Sequence, residues 1–357
     1  MGESLNLWLR ENPGLLTTSV AYSANTEVPQ LLYLLKGILP MANDPGLAGD
    51  TCYFMEAVSG DGGTHDPAGV WWLSPDILLT GPVSGPDNAD PGQVNPVEVK
   101  FHRKAANSDC TTPGDESVTV ELWVGNPSLA MAPNNQASTF AIQSIGGQVP
   151  APGDIGTQHI DWSVPAGLPP DNPQAPGHKC LIARCYPESL TPSSKNFFLP
   201  DDPHVAQHNI CIVPCPQKKL VHNQLRFKIS TLNPGREKER ATLRAVLDVK
   251  PTDFVRRTVL TRLHKLHGFQ QIATAAPSQG FKFDLSAYNP ANVVDKSHGV
   301  PHPSFQGEVT LTTQVAHIDF IADLTGTQAG DAFIYHLTQT DTGGHPQGGL
   351  TLVLVKL

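Results

Sequence analysis

The side chains with the most obvious chemistry in this chain are its fourteen histidines, a residue type that ligates metals and carries protons. No cysteine or carboxylate joins the closely spaced pairs at the spacing of a known metal motif, and no H-E-x-x-H sequence is present. We therefore interpret these pairs as surface or structural histidines, and we predict no catalytic residue. The pairs are His204 with His208, His264 with His267, and His298 with His302.

Four of the six cysteines lie in two strand-like runs, Cys180 with Cys185 and Cys211 with Cys215. An antiparallel pairing of these runs would place Cys180 near Cys215 and Cys185 near Cys211. Cys180 and Cys185 alternate onto opposite faces whereas Cys211 and Cys215 share one, so two disulfides would need a β-bulge. We favour buried, reduced thiols. Disulfides among these residues and a metal site are the alternatives, although no C-x-x-C motif is present.

Calcium is a weak alternative for loops that are rich in glycine and in oxygen-bearing side chains. No complete calcium loop of fixed spacing is present, so ordinary Asx turns are the favoured interpretation. We predict no cofactor, with calcium as the one alternative. Its candidate ligands are Asp61, Asp66, Asp87, Asn88 and Asp90.

Positive charge is concentrated between residues 218 and 268, whereas the chain as a whole carries a formal net charge of −9. Such a basic band can bind an anionic partner or neutralise an acidic neighbour. We expect no nucleic-acid binding, because the overall charge is acidic and no aromatic-interleaved RNA or DNA motif accompanies the band. The candidate binding residues of the band are Arg226, Lys228, Arg240, Arg244, Arg256 and Arg257.

Tryptophans offer a second kind of binding surface, because an exposed indole ring can stack on a sugar. Trp71 and Trp72 are adjacent, and Trp123 and Trp162 stand in strand-like segments. In a β-sandwich such side chains more often fill the core or cover its rim. We retain Trp71 and Trp72 as candidate binding residues.

The elements that position these residues are predominantly strands. Charged residues make up only 16% of the chain, and 31 glycines and 33 prolines favour short strands joined by many turns. Apolar residues alternate with polar ones over 97–101 and 118–124, which is typical of half-buried antiparallel strands. The predicted fold is mainly β, with two immunoglobulin-like antiparallel β-sandwich domains and a short, partly helical N-terminal segment. The predicted boundaries are 1–65, 66–215 and 218–357.

Two segments are candidates for helices, and one for a terminal hairpin. Residues 27 or 28 to about 39 place several leucines on one face, with Pro29 near the first turn. Residues 252–267 are ambiguous between a helix and two strands, and we prefer the helix. The glycine-rich run 342–349 between two apolar strands predicts a β-hairpin.

Several segments of the first predicted sandwich resemble bacterial immunoglobulin-like modules of the CARDB-like type. The resemblance covers about residues 67–215, and it implies a noncatalytic binding or scaffolding part of a larger surface or secreted protein. The segments are Trp72 to Ile77 (W-L-S-P-D-I), Asn95 to Val99 (N-P-V-E-V), Gly177 to Arg184 (G-H-K-C-L-I-A-R) and Ala206 to Ile210 (A-Q-H-N-I).

No motif in the sequence directly indicates where the protein is located or which reaction it catalyses. The N-terminus lacks a basic region followed by an apolar run, so we expect cytoplasmic synthesis without a signal peptide, with leaderless export as the alternative. No apolar stretch is long enough to span a membrane. We predict a noncatalytic structural or partner-binding protein that acts through protein–protein contacts, including self-assembly. The alternatives are a carbohydrate- or surface-binding adhesin, and a metal-dependent hydrolase with at least three ligands in one cleft.

Overall fold

The protein is mainly β, with several antiparallel sheets and one α-helix among the described residues, as the composition predicts. These residues belong to the compact unit Ala42–Leu357. In the computed structural model, the described residues are 44–80, 88–106, 108, 110–112, 117–169, 172–174, 177–216, 219–234, 238–275, 277, 280–285 and 304–357. The predicted N-terminal helix lies outside them.

The described residues of the first part of this unit form ten strands. The N-terminal sheet pair consists of one sheet in the order β1-β4-β2, with β7 on the other edge of β4, and a second sheet in the order β10-β9-β5-β6. Strands β3 and β8 form a separate two-stranded ribbon. The strands are β1 (Tyr53–Phe54), β2 (Ile77–Leu79), β3 (Asn88–Ala89), β4 (Val94–Arg103), β5 (Val118–Gly125), β6 (Thr139–Gly147), β7 (Ile155–Ser163), β8 (Gly177–His178), β9 (Cys180–Pro187) and β10 (Val205–His208).

The core of this sheet pair follows from the alternation of apolar residues. Val97, Val99 and Phe101 of β4 are fully buried, and they pack in one cluster with Val120 and Leu122 of β5. Because successive strand residues point to opposite faces, a period of two delivers every second side chain to the same core. The strands predicted over 97–101 and 118–124 are confirmed.

The rest of the chain forms the C-terminal sheet pair. A six-stranded sheet has the order β11-β19-β18-β13-β16, with β14 alongside β18, and it shares a core with the three-stranded sheet β12-β17-β15. The elements are β11 (Ile210–Cys215), β12 (Gln224–Thr231), β13 (Lys238–Leu247), α1 (Asp253–Leu263), β14 (Gln271–Ile272), β15 (Phe281–Asp284), β16 (Ser304–Thr312), β17 (Ala316–Asp323), β18 (Asp331–Asp341) and β19 (Pro346–Lys356).

The predicted boundaries place strand β11 at the end of the first sandwich, but β11 belongs to the C-terminal sheet pair. It leaves β10 after a single residue, Asn209, and pairs in parallel with β19, so Cys215 lies opposite Lys356. A third core cluster contains residues of both sheet pairs, among them Trp123 and Val353. The chain therefore crosses between the sheet pairs near residue 209 rather than after residue 215. The division into two sandwich domains stays a prediction.

The helix preferred for residues 252–267 is confirmed as α1. The Thr252 hydroxyl accepts a hydrogen bond from the Val255 backbone N–H at 3.3 Å, which caps the first turn. Val255, Val259 and Leu263 repeat at intervals of four and are buried, so this face of α1 packs on the third core cluster.

The terminal hairpin is also confirmed, because β18 and β19 are antiparallel neighbours. No helix in the described part of the chain is long and apolar enough to cross a membrane.

The cysteines are paired differently from the disulfide alternative. Cys180, Cys185, Cys211 and Cys215 are buried thiols, and the disulfide joins Cys52 to Cys110, which the sequence did not single out. The predicted pairing fails because β9 takes β10, not β11, as its antiparallel neighbour. The favoured interpretation of these four residues as buried, reduced thiols agrees with the structure.

Candidate ligand-binding groove

The outer face of the six-stranded sheet carries a row of polar side chains on three adjacent strands. Arg244 of β13 lies opposite Gln306 of β16 on one side and Thr338 of β18 on the other. One pair further along, Thr242 lies opposite Thr340. Leu243 and Ala245 point into the core, so the residues that alternate with them must point outward. The register alone therefore brings these side chains together.

A groove of about 580 Å³ lies over this face. Segment 67–72 of the N-terminal sheet pair and the β18–β19 turn line it together with the sheet. Ligand pockets in proteins are typically of this size, roughly 300–1,000 Å³. The residues contributed by the sheet are Thr242, Arg244, Val246, Gln306, His336, Thr338, Thr340, Asp341 and Pro346.

A chain of hydrogen bonds fixes the inner end of the groove. The Trp72 indole Nε1–H donates to Thr351 Oγ1 at 2.9 Å, and Thr351 Oγ1 lies 3.1 Å from His336 Nδ1. His336 Nε2 lies 3.0 Å from Asp248 Oδ2. Because an indole N–H can only donate, Thr351 Oγ1 accepts from Trp72, and the other end of the chain is the contact between His336 Nε2 and Asp248.

The charge of Asp248 is stabilised by this arrangement. Burial alone would raise the pKa of its carboxyl group, but the hydrogen bond and charge of His336 and the Lys250 backbone N–H outweigh burial and lower the pKa below its usual value. Both ring nitrogens of His336 are engaged within the protein. His336 therefore forms part of the groove wall, and neither of its ring nitrogens is available to accept a proton from a ligand.

The two predicted tryptophans support the groove from within. Trp71 is 1% exposed and Trp72 is 2% exposed, and their rings meet edge to face at 5.3 Å. A Cβ atom added to Gly349 would overlap the Trp72 ring, so only glycine allows β19 to pass so close. The alternative of an exposed sugar platform therefore does not hold for either residue. Their burial agrees with the favoured interpretation, in which such side chains fill the core or cover its rim. Trp123 and Trp162 are buried as well.

The predicted basic residues do not form one surface. Arg226 and Lys228 are exposed on β12, in the three-stranded sheet, whereas Arg240 and Arg244 are exposed on β13, in the sheet that faces it across the core. Outward side chains of two packed sheets point in opposite directions, so proximity in sequence does not bring these residues together. Arg256 and Arg257 form a third group on α1.

Arg244 is the predicted basic residue that lines the groove described above. Arg226 lies instead between two acidic side chains, with Nη1 at 3.4 Å from Asp284 Oδ2 and 3.5 Å from Asp319 Oδ2. The Arg226 side chain is 59% exposed, so these ion pairs contribute little to stability. Arg226 is thus a surface residue on the face opposite to Arg244.

The calcium candidates are not brought together as one site. Asp61 Oδ2 accepts hydrogen bonds from the Ala57 and Val58 backbone N–H groups, each at 2.9 Å, and Asp66 Oδ1 accepts one from Ala68. Asp61 Oδ1 also accepts a hydrogen bond from the Gly63 backbone N–H at 2.9 Å, so Asp61 and Asp66 each form the Asx turn that the sequence favoured, with the residue two positions on. Asn88 lies in the short strand β3, and the Asp90 backbone N–H donates a hydrogen bond to Asn95 Oδ1. Asp87 lies outside the described residues.

A different set of side chains could hold a metal ion. Glu56, Asp76 and His102 each offer a ligand atom, and these atoms lie within 4.8 Å of one another. His102 is held by stacking on Phe54 at 5.0 Å and by a contact of 3.0 Å from Nε2 to Asp76 Oδ2. Burial lowers the pKa of His102, but Asp76, Glu56 and Asp61 outweigh burial and raise it. The three residues come from separate segments of the chain, so their spacing in the sequence does not predict the site.

The predicted histidine pairs do not form metal sites among the described residues. His204 is buried between Asp202 Oδ1 at 2.7 Å and Asp50 Oδ2 at 3.1 Å. Burial opposes its protonation, yet the two carboxylates raise its pKa to about 9, so it is a buried cation with a structural role. His208 contacts the Ser74 carbonyl oxygen and Arg262 instead. His298 and His302 lie outside the described residues.

No family model matches the chain, and no curated protein matches its sequence. The collagen adhesin of S. aureus matches with 8% identity and a TM-score of 0.21, over 76% of this chain and 93% of that chain. The CupB6 tip adhesin from Pseudomonas aeruginosa matches with 10% identity and a TM-score of 0.16, over 79% and 95%. A lectin from Pleurotus ostreatus in complex with GalNAc matches with 12% identity and a TM-score of 0.15, over 88% and 86%.

These similarities are weak, and at such TM-scores neither a fold family nor a function follows from them. The resemblance to CARDB-like modules therefore stays a prediction. The groove and the strands around it define a mainly β protein with a polar, concave candidate binding site.

Proposed function

We propose that this protein is a noncatalytic, carbohydrate-binding protein of the adhesin type and that its ligand lies in the groove over β13, β16 and β18. The observation that carries the proposal is the row Gln306, Arg244 and Thr338, which three adjacent strands place along one concave surface. The sheet on which they stand is rigid, so the row is organised before a ligand arrives. This proposal adopts the adhesin alternative in place of general protein–protein contacts.

The chemistry of the lining favours a polyhydroxylated ligand. Threonine hydroxyls and a glutamine amide both donate and accept hydrogen bonds, as sugar hydroxyls do, and Arg244 adds several donors. A concave site of about 580 Å³ suits a few sugar rings. A protein partner typically buries a much wider area, about 800 Å² on each side.

The groove contains no evident proton-transfer machinery. His336 has both nitrogens engaged, and Asp341 contacts His345 Nδ1 at 3.1 Å. Binding without turnover is the function that these contacts support.

The disulfide between Cys52 and Cys110 supports a location in an oxidising compartment, since such bonds persist mainly outside the cytosol. We propose export to the cell surface or beyond, in accord with an adhesin. The immunoglobulin-like character of residues 66–215 and 218–357 belongs to the same proposal.

The test is a glycan array probed with the full chain, followed by calorimetric titration of the bound sugars. Arg244→Ala should weaken binding about 10- to 100-fold, because hydrogen bonds from a charged group are worth about 1.5–3 kcal/mol. Arg226→Ala is the matched control, since it removes the same charge from the opposite face, and it should leave affinity unchanged. Equal effects of the two substitutions, or no bound glycan on the array, would refute the proposal.

A further inference from the structure

A second groove, of about 510 Å³, lies between α1 and β14 and shares no lining residue with the first. Arg256, Leu260 and His264 follow one another at intervals of four, so they occupy one face of α1 and its C-terminal end. Lys250 enters from the connection between β13 and α1. Helical periodicity and one short loop thus bring three basic side chains to a single concavity.

Among the described residues, no carboxylate neutralises these basic side chains. No carboxylate lines the groove, and none of the described residues forms an ion pair with Lys250, Arg256 or His264. Of the neighbouring carboxylates, Asp248 binds His336 and Asp331 accepts a hydrogen bond from Gln271. Asp253, in the first turn of α1, forms no ion pair with Arg256 in the described part of the chain. The described lining of this groove is therefore positively charged, although the chain carries a formal net charge of −9.

The rest of the lining suits a ligand with both polar and apolar parts. Gln270 and Thr274 offer neutral hydrogen-bond donors, while Leu260, Phe269 and Ile272 supply apolar surface. A guanidinium group can hold two oxygens of one oxyanion at once, and an ammonium group adds a point charge beside it.

We propose that this groove binds an oxyanion ester, a sulfate or phosphate group attached to an organic body. Arg256 and Lys250 hold the charged group, and the apolar residues receive the attached body. The inference does not depend on the sugar site, because the two grooves have separate linings.

The experiment titrates the full chain with a sulfated monosaccharide, the corresponding sugar phosphate, inorganic sulfate, inorganic phosphate and the uncharged sugar, each by calorimetry at low and high salt. We expect one or both esters to bind better than the inorganic ions, and binding to weaken with salt. The stronger ester identifies the source of the oxyanion. No binding of either ester, or ester binding that does not weaken with salt, would overturn the proposal.

Two neighbouring residues of α1 provide a matched pair of variants. Arg256→Gln should weaken ester binding about 10-fold or more, because a charge-assisted bond is lost. Arg257→Gln removes the same charge one position along, outside the groove lining, and should change affinity less than 2-fold. Equal losses would show that general charge attraction, and not this groove, binds the ester. Both residues are exposed, so equal unfolding temperatures should confirm that both variants fold.

Failure here and failure of the sugar proposal are distinguishable. Arg256→Gln should not alter binding of a neutral glycan to the first groove, and Arg244→Ala should not alter binding of an ester to the second.

Discussion

Replacing Thr351 with valine should reveal how much the hydrogen-bond chain under the first groove stabilises the fold. Thr351 is fully buried, and its hydroxyl accepts from the Trp72 indole and faces His336 Nδ1. Valine has nearly the same shape and favours strands, so neither packing nor strand propensity should change much. The substitution leaves two buried polar atoms, Trp72 Nε1 and His336 Nδ1, without the hydroxyl group that they contact.

The expected cost follows from those two groups. Each buried polar group left without a partner costs about 1–3 kcal/mol, so the two together should lower the free energy of unfolding of Thr351→Val by about 2–6 kcal/mol. Thr351→Ser keeps the hydroxyl and removes one methyl group, which should cost only about 1 kcal/mol. The hydroxyl, and not the methyl group, should therefore dominate the stability at this position.

The assay is urea unfolding of the full chain, followed by tryptophan fluorescence. Thr310→Val is the control, because Thr310 is a half-buried strand residue on β16 opposite Arg240, and its change should stay within about 0.5 kcal/mol. A serine variant less stable than the valine variant, or a valine variant as stable as the control, would refute the reasoning.

Two further predictions concern the N-terminal sheet pair. Serine at both Cys52 and Cys110 should lower the free energy of unfolding by up to about 4 kcal/mol, since the bond closes a long loop; reductant should destabilise the natural chain equally but leave the variant unchanged in urea unfolding. The pKa of His204 is raised from 6.5 to about 9 beside Asp202 and Asp50, so its stabilisation is fully present below pH 6.5 and is lost as the pH rises through about 9. NMR titration of the ring and unfolding from pH 6 to 10 should show this loss, and a ring that titrates near 6.5 would contradict it.

The sequence by itself determined the local elements of this protein. A period of two in the apolar residues Val97, Val99 and Phe101 predicts a strand. A period of four in Val255, Val259 and Leu263 is compatible with a helix. The glycine-rich run 342–349 predicts a hairpin. These patterns are readable because each depends on neighbours along the chain, whose geometry the backbone fixes.

Only the tertiary structure decided which elements lie side by side. Strand β11 pairs with β19, which follows it by more than a hundred residues, and this pairing separates Cys211 and Cys215 from Cys180 and Cys185. Arg244 and Arg226 come to lie on opposite faces because their strands belong to opposing sheets.

The first groove is likewise a product of long-range packing, because it joins segment 67–72 to three strands from the far half of the chain. The second groove is local in sequence, since all of its lining comes from residues 249–274. Alternation predicts that a side chain such as Thr338 points outward, but it does not say which strand or loop lies beside it. That choice depends on sheet order and register, which are set by burial of the whole core rather than by any local pattern.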